Sequence, residues 1–394
     1  MTEIRDPIHG YIKLSRLAFD LVNTSQMQRL RWIKQLGLAN LVYPGANHTR
    51  FEHSLGVYHL AGTLSDHLGL KEEDKTKVEV AALLHDVGHG PLSHATEAVL
   101  APYLHHGHEG IIDLLRHGDL RDILDAYGLR PSEVQSLING AKLGQIVNSE
   151  IDVDRMDYLI RDAHYTGVAY GVIDHLRLIE KMRLHQGRLA VESGGIQAAT
   201  SLLISRLLMH PSVYYHHVSR ISECMISGGI RRMIEDGTKA QEIKGMDDSE
   251  LFISMVQAGG YAAEMVSLIK SRRLFKRAVY VGLDSLDPSL LKLSDQRIAQ
   301  EIADVAGISP DYVLVDNPHL PGPGEGDFPA LIDSEMKPLR CVSPLAAILE
   351  SAHKATWRFG VYSRKKDKEM VADAARRCLN LKKNVVQHTF ADID

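Results

Sequence analysis

Glu79-Val-Ala-Ala-Leu-Leu-His-Asp-Val-Gly-His-Gly-Pro-Leu-Ser-His-Ala-Thr-Glu97 is the stretch around which the chain is organised. An apolar run from Val80 to Leu84 carries straight into the adjacent pair His85–Asp86, and Gly88, Gly90 and Pro91 then break the helix. His89, His94 and Glu97 follow closely. A neutral imidazole beside a carboxylate, at the end of a buried helix, offers a divalent cation one nitrogen and one oxygen. Left unpaired in the interior, the two groups would cost on the order of several kcal/mol. A metal ion is the simplest compensation; a buried His–Asp hydrogen bond at a helix end is the plainer one. The rest of the chain decides between them.

Of the 394 residues 44% are hydrophobic and 24% charged, an ordinary balance for a globular protein, and the length suggests two domains or one large core with an appendage. A formal net charge of −5 argues against a protein built mainly to coat nucleic acid. Nucleic acid therefore stays open as a partner without being required. Cys224, Cys341 and Cys378 are far apart and make no CxxC pair, which fits a reducing cytoplasm. The N-terminus has no apolar stretch that would serve as a signal sequence, and no run approaches the roughly 20 apolar residues of a membrane span. A soluble, cytoplasmic protein without a membrane partner is expected. Most of the 21 histidines fall in the first half of the chain, a suggestive enrichment given that histidine is the commonest metal ligand.

Along the chain, residues 3–14 read as strand, turn, strand around Asp6-Pro7 and His9-Gly10. Asn23 or Thr24 can cap a helix over residues 25–36, and a second helix runs from His48–Thr49 to Leu68. Residues 108–127 and 131–138 read as amphipathic helices, and residues 146–166 set Asp152, Asp154, Asp157 and Asp162 among apolar positions. Gln186-Gly187 marks a hairpin turn within 184–192. Residues 195–236 are strongly helical, with Arg206, His210 and Tyr214 at four-residue steps on one stripe. For that stripe alone, an exposed helix face is an adequate account. After about residue 240 short helices and plausible strands at 277–282, 311–316, 330–333 and 357–362 lead to a closing helix over 368–379. No internal repeat or low-complexity tract is present.

The candidate ligands, taken together, are His53, His85, Asp86 and a later aspartate within 152–157, each on or beside a predicted helix. A helical bundle can bring four such positions to a point. Two histidines and two aspartates leave an octahedral ion open positions for water and substrate oxygens, a hydrolytic arrangement. His89, His94, His108 and Glu109 lie close by in sequence, more acid–base groups than packing needs. Arg50 and Arg155 flank ligands and suit phosphate oxygens.

In these features the sequence resembles the HD-domain superfamily of metal-dependent phosphohydrolases, and within it the deoxynucleoside triphosphate triphosphohydrolases. The resemblance runs through Asp6-Pro-Ile-His-Gly10, Gln28-Arg-Leu-Arg31, Ile33-Lys-Gln-Leu36, Tyr43-Pro-Gly-Ala46 and Arg50-Phe-Glu-His-Ser-Leu-Gly-Val57. It continues through His85-Asp-Val-Gly-His-Gly-Pro91, His108-Glu109, Ile151-Asp-Val-Asp-Arg-Met-Asp-Tyr158, Arg161-Asp162 and the Arg206/His210/Tyr214 stripe. It covers residues 3–235 closely and the remainder weakly. It implies a mainly α fold: an HD-domain helical bundle over 1–240, a helical connector over 241–305 and a small α/β lobe over 306–394.

The resemblance further implies that His53, His85, Asp86 and Asp154 ligate one divalent or transition metal ion per catalytic site, with Mg, Mn, Fe, Zn, Ni and Co undistinguished, and that a second Mg can accompany the nucleotide. Asp154 is preferred to Asp152 or Asp157 because the family motif falls there. His89, His94, His108 and Glu109 become the acid–base and α-phosphate group, with Glu97 standing where the family usually has aspartate. Arg50, Arg155 and Arg206 match phosphate-contacting positions. Gln35, Tyr158 and Asp162 match the pocket around the deoxyribose, and Tyr214 the base, beside His210 on the same stripe. A nucleoside triphosphate substrate, an allosteric nucleotide and a homo-oligomer, dimer or tetramer, are the partners so implied.

Two departures touch regulation. Asn23 replaces an aspartate that reads guanine in the family's activator pocket, and Arg5 replaces an asparagine there, whereas Gln28 and Arg31 are retained. Asn offers one acceptor and one donor where the aspartate offers two acceptors, so no strict requirement for GTP or dGTP is expected. The SAM domain of some members is also expected to be lacking. The leading expectation is hydrolysis of a dNTP to deoxynucleoside and inorganic triphosphate. The alternatives are an HD phosphatase or phosphodiesterase acting on another nucleotide, and a nucleotide- or nucleic-acid-binding regulator with a vestigial site.

Overall fold

The computed structural model describes residues 2–104, 107, 109–318, 320 and 326–381, with His94 described in its backbone only. Among them the protein is mainly α-helical, with a few small sheets. Three helices position the site. The first, Arg50–His67, is started by Thr49 and Glu52: the Glu52 carboxylate reaches back to accept the Thr49 backbone N–H at 2.5 Å, completing a capping box. The second, Glu72–Leu84, separates two cores. Val78 and Ala82 join the cluster of Val57, Leu60, Leu64, Met156 and Leu202, while Val80, Ala81, Leu83 and Leu84 join that of Ile12, Leu21, Phe51 and Leu55. A helix end apolar on all sides is a buried one, which is why the chain leaves it inside the protein, at His85–Asp86. The third, Val153–Thr166, starts where the Asp152 side chain accepts the Arg155 N–H at 2.8 Å and stops at Gly167, in the left-handed region at φ +75°.

The N-terminal strands Thr2–Asp6 and Gly10–Leu14 pair antiparallel, and their turn is closed by Asp6 Oδ1, which accepts the N–H groups of Ile8 and His9 at 2.9 Å each. Met182–His185 and Arg188–Glu192 form the expected hairpin, with Gln186 and Gly187 both at positive φ as a two-residue turn requires. A four-stranded sheet extends this hairpin with Pro329–Ile332, parallel to Arg188–Glu192, and then Glu335–Pro338. A second sheet sets Arg358–Ser363 between Lys276–Gly282 and Val313–Asp316, all antiparallel. The helices Asp295–Ala306 and Lys368–Cys378 pack on it through Ile298, Ile302, Val371 and Ala375. The four-stranded sheet joins segments on either side of residues 240 and 305, and the second sheet joins segments on either side of residue 305.

Three helices are shorter than the sequence pattern predicts. The helix expected over 25–36 is α only over Ser25–Arg29, with one 3-10 turn at Leu30–Trp32. Beyond it the backbone is engaged elsewhere: the N–H of Lys34 goes to Asp248 Oδ2, that of Gln35 to His48 O, and Ile33 O accepts from Arg50. Within 109–127 the chain divides into Ile112–Leu115 and Gly118–Ala126, because Gly118 turns at φ +62°. The long helix over 195–236 is Ile196–Met209 and His217–Glu235, separated by a π turn at His210–Tyr214 containing Pro211. No helix among the described residues is long and apolar enough to cross a membrane.

Helix Arg50–His67 approaches Val153–Thr166 so closely at Gly56 that an added Cβ would stand 1.8 Å from Asp157 Oδ1 and 2.5 Å from Arg161 Nη2. Gly56→Ala is expected to cost about 3–5 kcal/mol, the scale of breaking a buried ion pair. Urea denaturation midpoints of the variant and the parent check this; an unchanged midpoint would show that the helices separate freely.

Candidate metal centre

His53, on the first helix, and His85 and Asp86, at the end of the second, present nitrogen and oxygen atoms that all lie within 4.8 Å of one another. This group can hold a metal ion. The orientation of its imidazoles is fixed from behind. His53 Nδ1 donates to Asp157 Oδ2 at 2.8 Å and His85 Nδ1 donates to the Ala82 carbonyl at 2.7 Å. Each bond leaves the Nε2 lone pair facing the site. His85 Nε2 is buried and has no hydrogen-bond partner. A buried acceptor of this kind is costly unless a cation takes it up.

Asp154 faces the same point from the third helix. Its Oδ1 lies 2.9 Å from His53 Nε2 and 3.6 Å from His85 Nε2, and it is half-buried. Asp86 is held by Arg50, whose Nη1 donates to Oδ2 at 2.6 Å while its Nε donates to Ser93 Oγ at 2.7 Å. His89 Nε2 stands 3.1 Å from Asp86 Oδ1. With neutral imidazoles, four carboxylates (Asp6, Asp86, Asp154, Asp157) face two guanidiniums, Arg50 and Arg161, which leaves two negative charges for a dication to balance. The donor set, the unpartnered His85 Nε2 and the charge all fit such an ion. In its absence protons fill the role. Burial alone would lower His53, but hydrogen bonds from it to Asp154 and Asp157 overcome that and raise it to about 10. Burial would likewise raise Asp86, yet Arg50, His85 and His89 hold it well below the usual carboxylate range.

The metal group opens into a cavity of about 1280 Å³. Gln35, Arg155, Tyr158, Asp162, Arg206, His210, Tyr214 and Glu109 all line it, so the Arg206/His210/Tyr214 stripe faces inward and not to solvent. Asp162 accepts from His48 Nε2 at 2.8 Å and from the Tyr214 hydroxyl at 2.9 Å, and Tyr158 and Tyr214 meet edge to face at 6.1 Å. Gln35 Oε1 is buried without a hydrogen-bond partner, an acceptor still to be satisfied. Burial and Arg206 push His210 down to about 3, so it is neutral. Tyr158 is pushed up to about 12 by burial.

Other expected residues stand differently. The Arg155 guanidinium is taken up by the Ser149 carbonyl and Asp152, with its Nε buried and unpartnered. Glu97, on the His94–Leu100 helix, is not part of the cavity wall; its Oε1 lies 3.1 Å from where a Cβ on Gly107 would be. Asn23, Gln28 and Arg31 also lie off the cavity. The Asn23 amide donates to Phe19 O, Gln28 donates to Val22 O and accepts from Arg31 Nε, and the Arg31 guanidinium sits 3.6 Å above the Phe51 ring. His108 lies outside the described residues, as does the side chain of His94. Sequence reading left three partners of the site unassigned: Asp157 behind His53, His48 behind Asp162, and Ser93 behind Arg50. Their signal is spatial, a buried polar atom needing a partner across 43 to 114 residues of chain.

Known proteins are similar to this chain over most of its length. Residues 50–162 match the family model described as HD domain and residues 173–390 that described as HD associated region. An uncharacterized protein of Methanocaldococcus jannaschii is 32% identical over 93% of this chain and 80% of its own length. The uncharacterized protein YwfO of Bacillus subtilis is 38% identical over 58% of this chain and 55% of its own length. Deoxynucleoside triphosphate triphosphohydrolase SAMHD1 of Homo sapiens is 30% identical over 80% of this chain, which spans 60% of that protein. The crystal structure of a hypothetical protein from Aquifex aeolicus superposes with a TM-score of 0.77 at 28% identity, covering 95% of this chain and 99% of that one. A phosphohydrolase from Bacteroides thetaiotaomicron shares the fold, with a TM-score of 0.75 at 24% identity over 93% of this chain and all of that one.

The raised His53 has a measurable consequence. At pH 7.5 the metal-free imidazole carries a proton that a cation must displace. Calorimetric metal titrations in buffers of different protonation heat are expected to show about one proton released per ion; no release would count against His53 as a ligand. Because the folded value lies above the ordinary 6.5, this proton stabilises the metal-free fold fully below pH 6.5, and the contribution is lost as pH rises towards about 10.

Proposed function

The chain belongs to the HD-domain family, on the branch that includes deoxynucleoside triphosphate triphosphohydrolases, and from that premise we propose that it is a metal-dependent hydrolase that converts a dNTP and water into deoxynucleoside and inorganic triphosphate. The observation that carries this reading is that one cavity holds both the His53/His85/Asp86 group and the side chains suited to a nucleotide, with unpaired polar atoms, His85 Nε2 and Gln35 Oε1, on its wall.

In this reading His53, His85, Asp86 and Asp154 hold the ion. A dication there would supply positive charge to the phosphate next to the sugar and acidify a water molecule. The remaining work falls to the chain. Arg206 meets the triphosphate, and Arg50 keeps Asp86 ionised and in place while lining the same wall. Asp162, with Gln35 and Tyr158, walls the sugar, where a tyrosine would crowd a 2′-hydroxyl, and Tyr214, bonded to Asp162 and edge to face with Tyr158, meets the base. The bond broken joins the α-phosphorus to the 5′-oxygen; water supplies the new oxygen on phosphorus, and a proton must reach the departing 5′-oxygen. His89, beside Asp86 on the cavity wall, is one imidazole placed to manage that proton, and His94 and His108 belong to the same assignment by resemblance. The homo-oligomer, and a regulatory nucleotide at Asn23, Gln28 and Arg31, stay part of the same proposal.

The test is incubation of the purified protein with each of the four dNTPs and a panel of divalent metals, with triphosphate, pyrophosphate and phosphate resolved. Triphosphate and deoxynucleoside in equal amounts are expected. Pyrophosphate or phosphate as first product would point instead to a phosphatase or phosphodiesterase. Salt-sensitive binding to single-stranded nucleic acid without turnover would favour a regulator.

A further inference from the structure

The N-terminal hairpin reaches the metal group through a continuous line of buried charge. Asp6 accepts from Arg161, at 2.8 Å from Nη1 to Oδ2 and 3.3 Å from Nη2 to Oδ1. Arg161, fully buried, donates in turn to Asp157, with Nε to Oδ2 at 2.8 Å and Nη2 to Oδ1 at 2.9 Å. His9, three residues beyond Asp6, donates from Nε2 to Asp157 Oδ1 at 2.7 Å. The remaining bond of Asp157 is the one that holds His53 Nδ1, at 2.8 Å. Both hairpin residues therefore converge on the one carboxylate that orients His53. Nothing in the packing of the hairpin demands so many buried ions, since Ile12 and Leu14 already anchor it in the apolar core.

We propose that Asp6 and His9 are positioning residues of the metal centre: acting through Arg161 and Asp157, they fix the angle and tautomer at which His53 presents Nε2 to the ion. Partners behind a ligating histidine typically alter metal affinity by about 10–100-fold. The two oxygens divide the work in part, Oδ1 serving the turn together with the longer bond from Arg161 Nη2. Asp6 Oδ1 closes the turn by accepting from Ile8 and His9, whereas Oδ2 is the atom that meets Arg161 Nη1. Asp6→Asn keeps an oxygen for the turn and removes the charge that Arg161 requires.

The inference rests on the metal-centre reading above, and its test keeps the two apart. Wild type, Asp6→Asn, Asp6→Glu and His9→Gln would be stripped of metal, checked for folding by their metal-free melting temperature, and titrated with Co²⁺ against a chromophoric chelator while the visible ligand-field spectrum is recorded. Asp6→Asn and His9→Gln are expected to bind Co²⁺ about 10–100-fold more weakly and to show an altered spectrum at saturation, with Asp6→Glu restoring part of the affinity. Wild-type affinity and spectrum in folded Asp6→Asn and His9→Gln would overturn the positioning role and leave the metal centre standing. A wild type that takes up no Co²⁺ would overturn both. If Asp6→Asn does not fold, His9→Gln decides the matter alone, since it leaves the Asp6–Arg161 pair intact.

Discussion

The carboxylate of Asp157 is the constraint on which the rest of this site depends. It is wholly buried and takes four hydrogen bonds, from His53, His9 and two nitrogens of Arg161. A buried carboxylate is tolerable only when its lone pairs are filled and its charge is matched. Here the matching groups come from three parts of the chain: the hairpin, the first helix and its own helix. Arg161 and His53 hold Asp157 well below the usual carboxylate range against the opposing effect of burial. Removing any partner would strand a charge, so hairpin, helix and ligand are fixed together. Gly56 is part of the same constraint, because only a residue without a side chain lets the first helix come near enough for His53 to reach the carboxylate.

The opposite wall is set by a different device. Beyond the His85–Asp86 pair, and just past Pro91, the chain passes through Leu92 and Ser93, both at positive φ although neither is glycine. Such backbone costs on the order of 1–3 kcal/mol per residue and persists only where its surroundings impose it. Asp248, more than 150 residues later, imposes it: Oδ1 accepts the Leu92 N–H at 2.7 Å and Oδ2 the Lys34 N–H at 2.9 Å. The strained turn puts Ser93 Oγ under Arg50, and Arg50 then holds Asp86. One ligand is thus oriented from the N-terminus and another from the middle of the chain.

What could be read from the sequence divides along the same line. The His85–Asp86 end of a buried helix, the helix start at Thr49, the Gln186-Gly187 turn and the N-terminal hairpin are local, written within a few residues, and the structure has each of them. The length of the helix after Thr24 was not legible, because its end is decided by hydrogen bonds from Lys34 and Gln35 to Asp248 and His48. The break at 210–216 had a local sign in Pro211, but the pattern of apolar residues runs straight through it. Among Asp152, Asp154 and Asp157 the residue types are identical. They are told apart only by what each meets: Asp152 caps its helix and takes Arg155, Asp154 faces the two histidines, and Asp157 lies behind one of them.

The same reasoning explains why the later half of the chain belongs to the site although few of its residues were assignable in advance. Glu150, just before the third helix, is tied to the N–H groups of Gly326 and Phe328. Residues 329–332 add a strand beside Arg188–Glu192, at the entry to the helix carrying Arg206. On the far side of the cavity Arg220 joins Glu223 and Asp316, so the helix following the π turn is locked to the C-terminal sheet. The π turn itself sets Tyr214 where its hydroxyl can reach Asp162, a contact that the regular helix predicted from the sequence was not built to provide. An irregular turn needs fixed ends to hold one geometry, and the two sheets supply them. The C-terminal half therefore ties the wall opposite the metal group at both ends, through Glu150 and the strand at 329–332 on one side and through Asp316 on the other.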